Sequence, residues 1–220
     1  MRRSALAGLI RLDTAFPRPL GDMGQALTYQ RMGLELKAIT VAQATARRVI
    51  ETADPSLLGP FVEAARELEA QGVDFITTSC GFLARHQHEL AQAVSVPVYS
   101  SALLWCAELS RPGIVTFDAQ RLGQAEFKGA GVPDGTPVQG LPEGELRRVI
   151  LNDLNALDES LACAEATSAA VELVRRHPDV QHLVLECTNL PPYRAAIASA
   201  TGLPVHDLET LILRVAQGKS

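Results

Sequence analysis

Short apolar runs alternate with amphipathic stretches along the whole chain. The period-2 and continuous apolar runs predict strands over Ala7–Leu12, Val73–Thr78, Val96–Ser100, Ile114–Phe117, Val180–Leu185 and at Val205. Between them the spacing of apolar positions predicts helices over Leu57–Gln71 (LLGPFVEAARELEAQ), Leu83–Val94, Arg121–Gly129, a long one from Glu143 to His177, and Tyr193–Ala200. Strands separated by helices of this length cannot be joined as tight hairpins, so they predict an α/β fold, a parallel sheet with helices on both faces. Glycine and proline punctuate the joins in GVP, GTP, GLP and RHP.

The pattern repeats. Shifted by 107 positions, VDFITTSCGFLARHQHELAQAVSVPV overlays VQHLVLECTNLPPYRAAIASATGLPV without a gap. Val73 meets Val180, Cys80 meets Cys187, Leu83 meets Leu190, and Pro97 meets Pro204. At a similar offset GLIRLD (8–13) overlays GIVTFD (113–118), which matches Asp13 with Asp118. An internal repeat of strand–helix units predicts two related, pseudo-symmetric lobes. The expected boundaries are residues 1–99 plus 207–220 for the lobe carrying Cys80, and 100–206 for the lobe carrying Cys187.

Bulk properties narrow the partners. The 220 residues are 47% hydrophobic with a mean hydropathy of +0.09, enough for one large core or two small ones. The net charge is −5, and the arginine pairs (Arg47–Arg48, Arg147–Arg148, Arg175–Arg176) are dispersed. A nucleic-acid footprint needs a basic stripe, so no nucleic-acid partner is expected. No window approaches the ~18 apolar residues of a membrane span. The opening MRRSALAGLIRLD reads as a first strand rather than a signal peptide, because its apolar stretch is interrupted at Arg11. Four cysteines without a Cys-x-x-Cys pair argue against a disulfide scaffold or a zinc site and fit a reducing cytoplasm.

Cys80 and Cys187 carry the candidate chemistry. Both fall where a strand passes into a helix, the end of a parallel sheet at which ligands bind. Unpaired N–H groups and the positive end of the helix dipole favour anions there and are expected to lower a thiol's pKa. Thr188 and Asn189 are capping types able to turn hydrogen bonds towards a carboxylate, while Pro191 and Pro192 fall in the first turn, where a missing N–H costs little. Gly81 lets backbone approach closely. Two thiols on opposite sides of a cleft can remove a proton from one face of a carbon and return one to the other, inverting it without a cofactor. No dinucleotide or phosphate-loop motif is present.

TTSCGF (77–82) and LECTNL (185–190), with the following PPY, resemble the two cysteine motifs of the aspartate/glutamate racemase superfamily. RLDTAFPRPLGD (11–22) is similar to the opening of a racemase-like branch of it. The resemblance implies a parallel four-stranded sheet in each lobe, an active site in the cleft between them, no cofactor, and Cys80 and Cys187 as acid/base thiols. By the same resemblance Asp13 supports Cys80, and Thr14, Ser79, Gly81, Phe82, Thr188 and Asn189 contact the substrate, a small amino acid or related carboxylate. The expected assembly is a homodimer. Glutamate racemases carry Asp-Ser-Gly and Cys-Thr-His where this chain has Leu12–Asp13–Thr14 and Cys187–Thr188–Asn189, so support for Cys187 must come from the helix field, Glu186 or another residue. Members of the superfamily also racemise hydantoins, isomerise maleate or decarboxylate arylmalonates, and a non-enzymatic carboxylate-binding protein is the alternative outside catalysis.

The remaining candidates read more simply. Cys106 and Cys163 read as small core hydrophobes. His86 and His88 point to different helix faces, and Cys80 to Arg85 is one residue short of a phosphatase loop. Asp22 reads as a turn residue, with Arg18, Tyr29, Arg31 and His206 as further groups that could face the cleft.

Overall fold

A computed structural model of the chain describes residues 4–218. Residues 1–3 and 219–220, included in the expected boundaries of the first lobe, lie outside that range. The described residues form two separate sheets, each of four parallel strands. The first is built from β1 (Leu6–Leu12), β2 (Glu35–Val41), β3 (Phe75–Thr78) and β4 (Val98–Tyr99), in the order β2-β1-β3-β4. The second is built from β5 (Pro112–Thr116), β6 (Val138–Gly140), β7 (His182–Leu185) and β8 (Val205–His206), in the order β6-β5-β7-β8. The two orders are the same pattern repeated, as the 107-residue overlay requires. In each sheet the cysteine-bearing strand, β3 or β7, lies beside the first strand of its lobe.

Among the described residues, eight α-helices cover the sheets: α1 (Ala26–Arg31), α2 (Leu58–Ala70), α3 (Gln87–Ala93), α4 (Gln124–Ala130), α5 (Glu145–Leu151), α6 (Glu159–Arg176), α7 (Arg194–Thr201) and α8 (Leu208–Ala216). In α6 the buried positions Ala162, Ala166, Ala169, Ala170 and Leu173 recur at helical spacing, so one stripe faces the core. Those side chains are mostly alanine, which lets the helix approach closely. Among the described residues no helix is long and apolar enough to cross a membrane.

The departures from the pattern have local causes. The long helix expected from Glu143 to His177 is two helices: residues 152–158 turn the chain, Asp153 has a positive φ of 48°, and the Asp158 carboxylate caps α6 by accepting from the N–H groups of Ser160 and Leu161 at 3.0 Å. The edge strands β2 and β6 give no apolar run to recognise, since most of β2 faces solvent. The segment after Cys80 is a 3₁₀ turn, Gly81–His86, before it becomes α3. The terminal helix α8 opens on an Asp207–Thr210 capping box.

Candidate active site

Cys80 follows β3 and Cys187 follows β7, so both thiols occupy the carboxyl end of equivalent strands. Each is 6% exposed. Each accepts a hydrogen bond from the backbone N–H two residues on, Phe82 for Cys80 and Asn189 for Cys187, which are matched positions in the repeat. The Cys187 S–H also donates to Asn189 Oδ1 at 3.4 Å. All four cysteines are free thiols.

Each cysteine loop is held by the opposite lobe. The loop after Cys187 packs on the segment between β1 and α1: Met23 N–H donates to Thr188 O (3.1 Å), Asn189 Nδ2 donates to Asp22 Oδ2 (2.6 Å), and Gly21 abuts Pro192. The turn after Cys80 packs on α4, where Gly129 lies against Ala84 O and Arg85 pairs with the buried Glu126. Between the two, Thr188 Oγ1 donates to Ser79 O at 2.7 Å. The sequence folds this way because glycine at 21, 81 and 129 removes the Cβ atoms that would hold the lobes apart.

Charge at the site comes from two carboxylates. Asp22 is 1% exposed and accepts from Arg18 Nη1 (2.8 Å), the Gly24 N–H (2.7 Å) and Asn189. Arg18 also donates to Thr14 Oγ1 at 2.8 Å and stacks over Phe16. Glu186 is fully buried; Thr116 Oγ1 donates to its Oε2 at 2.7 Å, and its Oε1 has no hydrogen-bond partner. Gly81 packs directly onto Glu186 from the other lobe.

Burial decides the thiol ionisation. It pushes Cys80 up to about 12, with the negative charge of Glu186 adding to the shift and the Phe82 N–H opposing it. Cys187 is raised as well, again by burial first and Glu186 second, with Cys80 and Asp22 contributing. The expected lowering by a helix terminus is thus reversed: a 3₁₀ turn after Cys80 and a plain turn after Cys187 each supply one N–H, and desolvation of the buried thiolate outweighs it. Burial likewise pushes Glu186 up to about 7.

The residues singled out from the sequence are placed as follows. Cys80, Gly81, Phe82, Cys187, Thr188 and Asn189 converge. Ser79 is there too, its Oγ accepting from the Leu12 N–H at 3.0 Å. Asp13 does not join them: it is exposed, and Oδ2 accepts from the Gln43 N–H at 2.8 Å, which fixes the turn after β2. The carboxylates beside the thiols are Glu186 and Asp22 instead. The close approach at Gly81 accommodates Glu186, and the side chains of Thr188 and Asn189 bind Ser79 and Asp22. Tyr193, read from the sequence only as a helix start and part of PPY, is buried with an unpartnered hydroxyl and shares a small cavity of about 10 Å³ with Phe16, Asp22, Val149 and Asn189. A larger hollow of about 500 Å³ opens between the lobes at Arg47 and Arg147, the latter held by Asp118 at 2.9 Å. Among the described residues no three His, Cys, Asp or Glu side chains are grouped to hold a metal.

No family model matches the chain. It is 28% identical over 232 residues to dimethylsulfoniopropionate lyase 5 of Emiliania huxleyi (strain CCMP1516), a match covering 96% of this chain and 45% of that protein. Dimethylsulfoniopropionate lyase 7 of the same organism is 27% identical, over 92% and 64% of the two chains. The chain therefore spans about half to two thirds of the length of these relatives. Among solved structures, a glycine-to-cysteine variant of arylmalonate decarboxylase superposes with a TM-score of 0.65 at 17% identity, over 98% of this chain and 94% of that one. Allantoin racemase from Pseudomonas fluorescens gives 0.64 at 18% identity, over 96% and 89%. An aspartate racemase homologue from Pyrococcus horikoshii OT3 gives 0.57 at 17%, over 96% and 97%. The chain has the two-lobed α/β fold that these decarboxylase and racemase structures share.

Proposed function

We propose that this chain is an enzyme that moves the proton on the carbon next to a carboxylate, and that it is a cofactor-independent racemase of a small amino acid or related carboxylate. Cys80 and Cys187 are its acid/base pair: the thiolate of one takes the proton from one face while the S–H of the other gives a proton to the opposite face. The observation that supports this most is the symmetry of the two thiols. They occupy equivalent strand ends of two related lobes, each takes a hydrogen bond from the matched backbone N–H, and each has its pKa raised by the same carboxylate, Glu186. A binding protein has no need of either thiol. Both are enclosed, so substrate entry requires the loop between β1 and α1 or the lobes themselves to open.

The lyase names of the sequence relatives favour a second reading with the same first step. A thiolate removes the proton next to the carboxylate of a sulfonium carboxylate, the C–H electrons form a C=C bond, and the C–S bond breaks to release a neutral thioether. Incubation in D2O with D- and L-amino acids, hydantoins, hydroxy acids and dimethylsulfoniopropionate, followed by NMR, separates the readings. Exchange of the proton next to the carboxylate with inversion supports the racemase; alkene and thioether signals support the lyase. Absence of both with folded, reduced protein overturns both.

A further inference from the structure

Among the described residues, Glu186 is the buried carboxylate at the site that no cation pairs with. It immediately precedes Cys187 and occupies, in the repeat, the position of Ser79 before Cys80. Its carboxylate receives the Thr116 hydroxyl from β5 and the Phe117 N–H just beyond that strand, while Oε1 receives nothing. Of the charged groups, Glu126 from α4 acts on Glu186 itself, Glu186 acts on Cys80 and Cys187, and Arg85 and Arg18 act on Cys80 while Asp22 from the segment before α1 acts on Cys187. The two guanidinium groups are committed elsewhere, Arg85 to Glu126 and Arg18 to Asp22 and Thr14. A lone ionised carboxylate in such a place is costly and has one local remedy, a proton.

We propose that Glu186 is the internal proton acceptor of the thiol pair: an S–H proton passes to its carboxylate, leaving a thiolate beside a neutral carboxylic acid. Atoms and charge balance within the site, since the S–H bond breaks, an O–H bond forms, and one negative charge moves from oxygen to sulfur. The step deepens the acid/base reading of Cys80 and Cys187 and rests on it. Glu186 acts through the thiols, as a positioning residue for protons. Burial holds its carboxyl near 7, and its ionised form is the second-largest cause of the raised thiol values. Once the carboxylate takes the proton, that repulsion is gone. The Glu186–thiol group then titrates as a unit rather than as separate residues.

The test needs no substrate, so its failure is separate from that of the activity assay. Iodoacetamide alkylation of Cys80 and Cys187 is followed peptide by peptide by mass spectrometry, from about pH 5 to pH 10. In the wild type, the rate at one or both cysteines is expected to rise to a plateau with a midpoint near 7. In Glu186→Gln the plateau disappears, and the rate climbs about tenfold per pH unit up to the thiol's own pKa. His86, the histidine on this turn, is kept neutral to lower pH by burial and by Arg85, and His86→Gln is expected to retain the plateau. A wild-type profile without a plateau, or a plateau that survives in Glu186→Gln, overturns the proposal. Should Glu186→Gln fail to fold, the infrared band of a protonated buried carboxyl in the wild type decides. Titration of that band with the alkylation midpoint supports the proposal, and a carboxyl ionised throughout overturns it.

Discussion

Gly81 and Glu186 meet across the two lobes with no room for a side chain between them: a Cβ at position 81 would overlap both the carbonyl oxygen and Oε1 of Glu186. This contact sets the one carboxylate that influences both thiols against the residue next to Cys80. It also means that the lobes cannot separate at this point without exposing a buried charge.

Gly81→Ala is expected to destabilise the chain by about 1–3 kcal/mol, the usual cost of forcing an atom into a packed interior. Urea unfolding checks it. Placing the same change in a Glu186→Ala background is expected to recover only part of the loss, because the carbonyl oxygen still obstructs the new methyl. Full additivity would show that the Glu186 side chain does not touch position 81 in solution.

Stability is expected to fall as pH rises from about 4.5 to about 7 through Glu186. The native carboxyl keeps its proton up to the higher value while the unfolded one releases it at the lower, so the native state binds more protons throughout that window. The contribution is present in full below 4.5 and lost above 7, by roughly 3 kcal/mol at most. Glu186→Gln is expected to flatten this part of the curve in urea titrations at stepped pH.

Asp22→Ala removes the acceptor shared by Arg18, the Gly24 N–H and Asn189, all in a buried setting. Leaving a guanidinium group and an amide without their partner is expected to cost about 3–5 kcal/mol. The urea midpoint should drop accordingly, and Cys187 should become alkylated faster as its loop loosens. A change below about 1 kcal/mol would place the Asp22–Asn189 link among the dispensable contacts.

Asp13→Ala is expected to lower stability by no more than about 1 kcal/mol and to leave proton exchange intact, because its exposed carboxylate serves only the Gln43 turn. Strong loss of exchange would restore Asp13 to the acid/base machinery.

Cys80→Ser and Cys187→Ser are each expected to reduce racemisation about 10²–10⁴-fold, with any residual exchange restricted to one enantiomer. NMR in D2O reads both quantities. Equal retention of exchange for both enantiomers in either variant would exclude the two-thiol mechanism.

Much of the architecture was legible because burial leaves a periodic trace. β3 and β7 are buried along nearly their whole length and read as apolar runs; β2, whose residues mostly face solvent, left no trace. The ungapped overlay of Cys80 with Cys187 exposed the repeat, since paired lobes preserve the register of strand, thiol and following turn. The break between α5 and α6 was hidden, because helical spacing continues through Leu151, Leu154 and Leu157 while the turn depends on a backbone angle at Asp153.

The linear chain by itself determined the α/β class, the duplication, and which two thiols terminate equivalent strands, because these depend on local periodicity and on order along the chain. Only the tertiary structure decided the surroundings of those thiols. It placed Asp13 with Gln43, brought Asp22 to Asn189 across 167 positions, and enclosed Glu186 behind Gly81. Ionisation depends on the net effect of burial, hydrogen bonds and neighbouring charges in three dimensions. A helix terminus that would favour a thiolate in water is therefore overruled where no water reaches.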